Sequence, residues 1–502
     1  MNLSTIIANN ASFRPNYRAI ICADDERSFT WSEFDRQVNK LGNALLRLGV
    51  KKGEFVAVYL PNCPELLFTY FALWRIGAVV LPFNILFKSV EIAFICNDSQ
   101  ARFLIGAATE VREWVVREID KYPGLQQIIT VGEKVEGCHD FHQLIAEEPE
   151  ELQSVKCGLD EIVMMLYTSG TTGRPKGAML SYHNLLSSGT LSLSIMHVND
   201  RDLFFTNSPF SHISFVMSIL STFIAGASLL TVRQFNAEKT LELIGTYGVT
   251  HYFGVPTIFA LMLGKFNQEL HNLKSLRCVF SAGAALPVQY IDQIEQLFDV
   301  DLIEMYGATE TSTTMTYNRL GHTRKGSVGQ VAQGNQIIIA DDAGQPLAAG
   351  EVGEVLIKGP GVFKVYWNLP QASQDAFVNG WFRTGDLGRM DKDGYLFLEA
   401  RKSDLIICGG YNVYPVQVEN VILTHPKITE VVVVGVKDPI LNQIVKAFVV
   451  LAEGEEMTPE EFTAFCKGKM ASYKVPRQVE FIPELPKSST GKVLKRMLTS
   501  KN

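Results

Sequence analysis

The stretch YTSGTTGRPKG, residues 167–177, is dense in groups that bind phosphate. Its hydroxyl side chains, glycines and cations are Thr168, Ser169, Gly170, Thr171, Thr172, Gly173, Arg174 and Lys176. Hydroxyls donate hydrogen bonds, and glycines let successive backbone N–H groups approach an anion closely. The spacing is not that of a Walker loop, which places four residues between its first glycine and a Gly-Lys pair. The stretch therefore predicts a phosphate site of another type.

Two further segments follow apolar runs and place small or polar residues where a strand should end. The segment SAGAA contributes Gly283, Ala284 and Ala285, and YGATE contributes Tyr306, Gly307, Thr309 and Glu310. Because ligands of open parallel sheets lie beyond the carboxyl ends of the strands, we expect these loops and the first to converge on one ligand. The ring of Tyr306 can stack on a base, and a lone carboxylate near phosphates, Glu310, suits Mg²⁺.

Three charged residues later in the chain are further candidates. Asp386, in the sequence TGD, can accept hydrogen bonds from two ribose hydroxyls, and Arg401 lies in similar turn-rich sequence. Lys492 follows a turn in PKSSTGKVLKR, where the alternative interpretation is a solvated basic tail.

The sequence around these residues alternates short apolar runs with helices. EFVAVYLPN, PELLFTYFALWRIG and AVVLPFN form a strand–helix–strand pattern, which predicts a parallel sheet with helices on its faces. Similar apolar runs occur at 125–132, 163–170, 228–232, 249–254, 276–283 and 300–307. The uncharged stretch 213–232 is best interpreted as a buried helix leading into a buried strand, because serines, threonines and a central glycine interrupt it.

The pattern changes twice toward the C-terminus. Beyond Gly326, short strands with glycine-rich turns predict an antiparallel β subdomain, and mixed α/β character resumes after Asp404. We therefore predict an α/β fold in two domains. Residues 1–400 form a large N-terminal domain of parallel-sheet α/β layers with the antiparallel subdomain, and residues 404–502 form a small α+β domain, with a hinge near 401–404.

Composition excludes several classes of protein. The net charge of −7 argues against a nucleic-acid binder, whose affinity comes from clustered Lys and Arg. The eight cysteines lack CxxC spacing, which disfavours a zinc site or a disulfide framework and favours reduced thiols in the cytoplasm. The first fifteen residues do not resemble a secretory signal, and we expect no transmembrane segment, which leaves peripheral membrane contact and the oligomeric state open.

Five segments together resemble the signature set of the adenylate-forming enzymes, in the AMP-forming acyl-CoA synthetase branch. They are, in family order, YTSGTTGRPKG, YGATE, WFRTGD, RKSDLIICGGYNVYP and PKSSTGKVLKR. The resemblance implies that a carboxylate and ATP give an acyl-adenylate and pyrophosphate, and that the thiol of coenzyme A then displaces AMP. A Walker loop is unnecessary for this reaction, since the bond that breaks is at the α-phosphorus.

The resemblance also implies roles for the candidate residues. The first loop and Lys176 would hold the β- and γ-phosphates, Thr309 would contact the α-phosphate, and Glu310 would bind Mg²⁺. Tyr306 with Gly283, Ala284 and Ala285 would frame adenine, while Asp386 and Arg401 would hold ribose. The small domain would be a mobile lid that presents Lys492 for adenylation and then Gly409 and Gly410, which would line the passage for the pantetheine arm.

The same resemblance locates an acyl site, for which the predicted lining is His212, Phe215, Phe253, Gly254 and Val255 with Gly283 and Ala284. Such an apolar lining favours a medium- to long-chain fatty acid or an aromatic acid. Two positions depart from the family pattern, since Ser403 replaces a charged hinge residue and Phe215 replaces a small residue.

Two alternatives to an acid–CoA ligase remain open. One is an adenylating enzyme whose acceptor is a carrier-protein thiol, or oxygen in a luciferase-like oxidation. The other is a nucleotide-binding regulatory protein that has lost catalysis.

Overall fold

The computed structural model describes residues 2–168, 174–487 and 493–499. The first part of the chain forms alternating helices and strands, as the apolar pattern predicts. Its elements are α1 (Thr5–Phe13), β1 (Arg18–Cys22), β2 (Ser28–Thr30), α2 (Trp31–Arg47), β3 (Phe55–Tyr59), α3 (Pro64–Arg75), β4 (Val79–Pro82), α4 (Ser89–Ser99), β5 (Phe103–Ala107), α5 (Ala108–Trp114), β6 (Gln127–Val131), β7 (His139–Asp140), α6 (Phe141–Ala146), β8 (Ile162–Thr168) and β9 (Lys176–Ser181).

The second part continues the alternation and ends in antiparallel strands. Its elements are α7 (Tyr182–Met196), β10 (Leu203–Thr206), α8 (Ser221–Ala225), β11 (Ser228–Thr231), α9 (Ala237–Tyr247), β12 (His251–Gly254), α10 (Pro256–Leu263), β13 (Cys278–Ser281), α11 (Val288–Phe298), β14 (Asp301–Ala308), β15 (Thr313–Tyr317) and β16 (Gln330–Val331). A π-helical turn, Val216–Leu220, precedes α8, and a 3₁₀ turn, Thr309–Thr311, follows β14.

The last part is rich in antiparallel strands. Its elements are β17 (Gln336–Ala340), β18 (Gly353–Lys358), α12 (Pro370–Asp375), β19 (Phe377–Val378), β20 (Trp381–Met390), β21 (Leu396–Arg401), β22 (Ile406–Cys408), β23 (Tyr411–Val413), α13 (Pro415–Ile422), β24 (Ile428–Asp438), β25 (Asn442–Leu451), α14 (Pro459–Lys467), β26 (Gln478–Phe481) and α15 (Lys495–Thr499). A 3₁₀ turn, Lys402–Asp404, separates β21 from β22 at the predicted hinge.

Four sheets organise these strands. A nine-stranded sheet has the order β16-β15-β14-β13-β12-β10-β11-β1-β2, and a seven-stranded sheet has the order β7-β6-β5-β3-β4-β8-β9. The nine-stranded sheet is parallel in its centre and antiparallel at both edges, where β14–β16 and β1–β2 pair. The seven-stranded sheet is parallel except at the edge where β8 and β9 pair. Strands β17–β21 form the predicted antiparallel sheet, and β22–β26 form a sheet in the C-terminal unit. The prediction of the fold class is therefore confirmed.

One large core joins the two parallel sheets. It contains Phe34 from α2, Phe71 from α3 and Phe223 from α8, whose rings contact one another with centroids 5.6–5.8 Å apart. Helix α2 begins at a capping box, because the side chain of Thr30 accepts from the backbone N–H of Glu33 while Glu33 accepts from that of Thr30. The helix thus starts at a defined residue and directs its apolar face into this core.

The uncharged stretch 213–232 lies inside the same core. It forms the π-helical turn, α8 and β11, as the sequence predicts. Three of its hydroxyl groups donate to backbone carbonyls one helical turn earlier, Ser218 to Ser214 at 2.7 Å, Ser221 to Met217 and Thr222 to Ser218. No helix in the described parts of the chain combines the length and hydropathy that a bilayer span requires.

Candidate active site

Strand β14 positions Tyr306 and Gly307. The sequence predicts a strand over 300–307 with YGATE at its end, and β14 ends one residue later, at Ala308, so that Thr309 and Glu310 lie beyond it in a 3₁₀ turn. After this turn β15 runs back and pairs with β14. A side chain at Gly307 would place its Cβ 1.6 Å from the carbonyl oxygen of Thr313, so the close pairing requires glycine.

The SAGAA loop follows β13 as predicted. Gly283, Ala284 and Ala285 are exposed beyond Ser281, the last residue of that strand. Gly283 has a φ of +90°, a conformation that favours glycine. These residues therefore lie at the carboxyl end of the strand next to β14, beside Tyr306.

Asp386 links the antiparallel sheet to Tyr306. The Tyr306 hydroxyl donates to Oδ2 of Asp386 at 2.6 Å, and the Arg401 guanidinium forms an ion pair with Oδ1 at 2.9 Å. Asp386 and Arg401 were predicted in turn-rich sequence, but they lie directly opposite each other on β20 and β21. A carboxylate is an acceptor-only group, which is the chemistry that binds the hydroxyl groups of a ribose.

The pKa values of Tyr306 and Arg401 are both raised. Burial and the neighbouring Asp386 carboxylate raise the pKa of Tyr306 well above its ordinary value, so the phenol stays a donor. Burial acts to lower the pKa of Arg401, but the negative charges of Asp386 and Glu310 outweigh it and raise the pKa. The three groups therefore form a hydrogen-bonded unit with a permanent positive charge on Arg401.

Glu310 and Lys176 meet at the ring of Tyr366. The Tyr366 hydroxyl donates to Oε1 of Glu310 at 2.9 Å, and Nζ of Lys176 lies 5.2 Å from the centroid of the ring. Lys176 begins β9 and stands opposite Thr168, the last residue of β8. The two parallel sheets therefore both contribute charged groups to one crevice, Lys176 from the seven-stranded sheet and Glu310 from the end of β14.

The surroundings of Glu310 fit a magnesium ion. Tyr366 occupies one carboxylate oxygen, and Oε2 has no hydrogen-bond partner among the residues that the structure describes. Mg²⁺ in nucleotide sites takes one or two carboxylates and completes its shell with phosphates and water. Within the described ranges no group of three His, Cys, Asp or Glu side chains is placed to hold a metal ion.

Several predicted residues lie outside the described part of the chain. These are Ser169, Gly170, Thr171, Thr172 and Gly173 of the first loop, together with Lys492. The residues that flank the loop are described, and they show that it connects the antiparallel strands β8 and β9. The roles of the loop and of Lys492 stay predictions.

The predicted acyl site lies at the end of β12. Phe253 and Gly254 are buried there, and Val255 precedes α10. A Cβ on Gly283 would lie 3.6 Å from Cγ1 of Val255, so this apolar segment adjoins the SAGAA loop. His212 is exposed in the segment after β10.

Phe215 differs from the other predicted members of the acyl site. Its ring is 1% exposed and packs against Tyr70 and Trp74 of α3, with centroids 5.1 and 6.0 Å away. The side chain therefore belongs to the core between the sheets. Its contribution to the acyl site stays a prediction, and the packing argues for an indirect one.

Gly409 and Gly410 form the two-residue connection between β22 and β23. Both have positive φ angles, +57° and +84°, which is the conformation of a type I′ hairpin turn. The turn is exposed. Its proposed role beside the pantetheine arm stays a prediction.

Tyr366 and Trp367 are the residues that sequence reasoning missed. The backbone N–H of Trp367 donates to the carbonyl of Gly177 at 2.8 Å, and its indole Nε1 donates to the carbonyl of Asp98 at 2.9 Å. The two aromatic residues thus attach the segment before α12 to β9. The only signal in the sequence is an aromatic pair in a turn-rich region, which has no specific meaning by itself.

Comparison with known proteins gives a consistent result. The sequence model described as AMP-binding enzyme matches residues 7–367, and that of the AMP-binding enzyme C-terminal domain matches residues 417–492. The chain is 34% identical over 493 residues to the crotonobetaine/carnitine–CoA ligase of Salmonella paratyphi C (strain RKS4594), covering 95% of this chain and 94% of that protein.

Solved structures resemble the chain over its whole length. The anthranilate CoA ligase AuaEII in complex with anthranoyl-AMP superposes with a TM-score of 0.94 at 30% identity, covering 100% of this chain and 97% of that one. ATP-bound MatB from Rhodopseudomonas palustris gives 0.92 at 28% identity, and the apo form of MatB gives 0.81, each covering 100% of this chain and 99% of that one. The shape of the chain is thus closer to the ATP-bound form of that relative. From the matched domains and this similarity, we conclude that the chain belongs to the adenylate-forming enzymes of the AMP-binding family, within the AMP-forming acyl-CoA synthetases.

Proposed function

We propose that this AMP-forming acid–CoA ligase, which uses ATP, Mg²⁺ and coenzyme A, activates a carboxylic acid with an apolar acyl group, in the first place a medium- to long-chain fatty acid. The observation that supports this substrate is the apolar segment Phe253, Gly254 and Val255 beside the SAGAA loop. An acid bound there would direct its carboxylate toward the crevice that contains Tyr306 and Glu310.

The residues of the crevice suit the first half-reaction. The attacking carboxylate is already an anion, so no general base is required, and the barrier comes from two anions that approach each other. Lys176 would lower this barrier by holding phosphate oxygens, and Thr309 would donate to the α-phosphate. Glu310 would hold Mg²⁺, which when bound neutralises charge on the triphosphate. Removing one such group costs about 3 to 4 kcal/mol in barrier height.

The nucleoside would be held by the unit around Asp386. Its carboxylate would accept from the ribose hydroxyls while Tyr306 and Arg401 fix its orientation, at 2.6 and 2.9 Å. The ring of Tyr306 and the exposed backbone of the SAGAA loop would frame adenine. After adenylation, the C-terminal domain would rotate about residues 401–404, and the Gly409–Gly410 turn would replace Lys492 at the crevice.

An aromatic acid is the second candidate. The specific observation in its favour is the TM-score of 0.94 to an anthranilate CoA ligase that holds anthranoyl-AMP. A planar ring would require a short, wide acyl site, whereas a fatty acid would require a narrow tunnel that extends along β12.

Pyrophosphate release with a panel of acids tests the proposal. We expect release that depends on both acid and Mg·ATP, with the highest kcat/KM for fatty acids of medium to long chain, followed by thioester formation with coenzyme A. If benzoate-type acids give the highest kcat/KM, the aromatic acid replaces the fatty acid as the proposed substrate. Thioester formed on a carrier protein but not on coenzyme A, or no ATP-to-AMP conversion with any acid, would overturn the proposal.

A further inference from the structure

Tyr366 lies between two groups that the proposed function places at the phosphates. Its hydroxyl donates to Oε1 of Glu310 at 2.9 Å, and its ring lies under Nζ of Lys176, 5.2 Å from the centroid. The side chain is 9% exposed, so solvent competes little for either interaction.

The position of the ring is fixed from several sides. The Phe363 ring packs against it with centroids 4.6 Å apart, and the Tyr366 backbone N–H donates to Oγ of Ser373 at 2.9 Å. Tyr366 also forms an isolated antiparallel bridge with Ala178 of β9. The backbone N–H of Phe363 in turn donates to the Glu310 carbonyl at 2.7 Å. The segment 363–366 therefore holds both the backbone and the side chain of Glu310.

Two groups of opposite charge contact different parts of the Tyr366 side chain, Glu310 its hydroxyl and Lys176 its ring. A neutral ring presents a negative face, which attracts the ammonium group of Lys176. One side chain thus contacts an anion through its hydroxyl and a cation through its face, although Glu310 lies in the turn after β14 and Lys176 lies on β9 of the other sheet.

We propose that Tyr366 is a positioning residue for adenylation, which orients Glu310 so that Oε2 faces the metal and keeps Lys176 aligned with the phosphates. This inference rests on the proposed functions of Glu310 and Lys176. It assigns Tyr366 no contact with the substrate, so the residue acts only through those two neighbours.

Manganese binding tests the inference without turnover. Mn²⁺ is titrated by electron paramagnetic resonance into enzyme saturated with α,β-methylene-ATP, which cannot be cleaved at the α-phosphorus. We expect Tyr366→Phe to bind Mn²⁺ about tenfold more weakly, as the loss of one hydrogen bond to a charged group predicts. Thioester formation from supplied acyl-adenylate should remain at the wild-type rate, because it requires neither Glu310 nor the metal.

A matched control separates positioning from stability. Tyr122→Phe removes another buried phenol, which donates to the carbonyl of Trp114, the last residue of α5, at 2.6 Å. It should lower the unfolding temperature to a similar extent and leave Mn²⁺ binding unchanged. Equal weakening of Mn²⁺ binding in both variants would overturn the inference, since the effect would then be a general result of destabilisation.

The Glu310→Gln background distinguishes the inference from the proposed function. If Tyr366 acts through Glu310, adding Tyr366→Phe to Glu310→Gln should weaken Mn²⁺ binding by less than twofold more. Weakening by Glu310→Gln but not by Tyr366→Phe would overturn the inference and leave the proposed function intact. Unchanged Mn²⁺ binding in Glu310→Gln would remove the metal role proposed for Glu310, and the inference about Tyr366 with it, while pyrophosphate release with the acid panel would still decide the proposed function.

Discussion

The hydroxyl of Tyr306 donates to Oδ2 of Asp386 at 2.6 Å and so joins β14 of the nine-stranded sheet to β20 of the antiparallel sheet. The two residues were proposed separately, one for adenine and one for ribose. Their direct bond makes the proposed base and sugar subsites one unit, because a shift of either side chain moves the other.

Replacing the tyrosine by phenylalanine should therefore affect both subsites. Tyr306→Phe keeps the ring but removes a donor to a buried charged acceptor, which should cost about 1.5 to 3 kcal/mol in the free energy of unfolding. We expect the KM for ATP to rise several-fold. Urea unfolding and initial-rate kinetics measure the two effects. The control is Tyr395→Phe, which removes a donor to the carbonyl of His322 and should leave the KM for ATP unchanged. An unchanged KM for ATP in Tyr306→Phe would contradict the shared subsite.

Lys492 should separate the two half-reactions. Lys492→Ala should reduce acid-dependent pyrophosphate release by a factor of at least about 100, because a cation near the developing charge is lost. Thioester formation from supplied acyl-adenylate should be unaffected. Lys487→Ala is the control in the same segment, since Lys487 pairs with Glu430 at 2.6 Å. Equal losses in both half-reactions of Lys492→Ala would exclude the proposed role.

Phe215 should matter for stability more than for substrate choice. Phe215→Ala opens a cavity beside Tyr70 and Trp74, and phenylalanine-to-alanine changes in cores cost about 3 to 5 kcal/mol. If Phe215 instead lines the acyl site, as the sequence predicts, a smaller residue at this position should widen the range of fatty-acid chain lengths that the enzyme accepts. Denaturant unfolding and a fatty-acid panel measure both, with His212→Ala as a comparison at an exposed site. A changed acid profile without loss of stability would restore Phe215 to the acyl site.

Glu304 should make the stability of the chain depend on pH. Burial raises the pKa of this β14 residue to about 8, with a smaller contribution from Glu295. Because the pKa in the folded state lies above the unfolded value of 4.5, the stabilisation is complete below pH 4.5 and is lost as the pH rises toward about 8. In the wild-type protein the free energy of unfolding should fall by roughly 4 kcal/mol over this pH range, and Glu304→Gln should remove this fall. Urea unfolding at several pH values tests this, and parallel profiles for both proteins would refute it.

Local patterns predicted most of the fold. The strand–helix–strand sequence from Glu54 to Asn84 gives β3, α3 and β4, because apolar runs and breakers report directly on hydrogen-bonded elements. The SAGAA loop was likewise predicted at the end of its strand.

Contacts between distant segments were not predictable in the same way. Asp386 and Arg401 face each other across two strands whose pairing no local pattern specifies. The run 300–307 predicted the strand that contains Tyr306 and Gly307, but no local pattern indicated that Gly307 permits close pairing with the returning strand β15. The core position of Phe215 depends on the two aromatic residues of α3, far earlier in the sequence.

The attachment of Tyr366 and Trp367 to β9 has a consequence for biosynthesis. Lys176 and Gly177 leave the ribosome long before their partners Tyr366 and Trp367 exist, although the seven-stranded sheet is already complete at β9. A nascent chain can therefore fold this sheet early, but it acquires its aromatic support for Lys176 only when the segment before α12 emerges. Nucleotide binding by translationally arrested chains should accordingly begin only once that segment has left the exit tunnel.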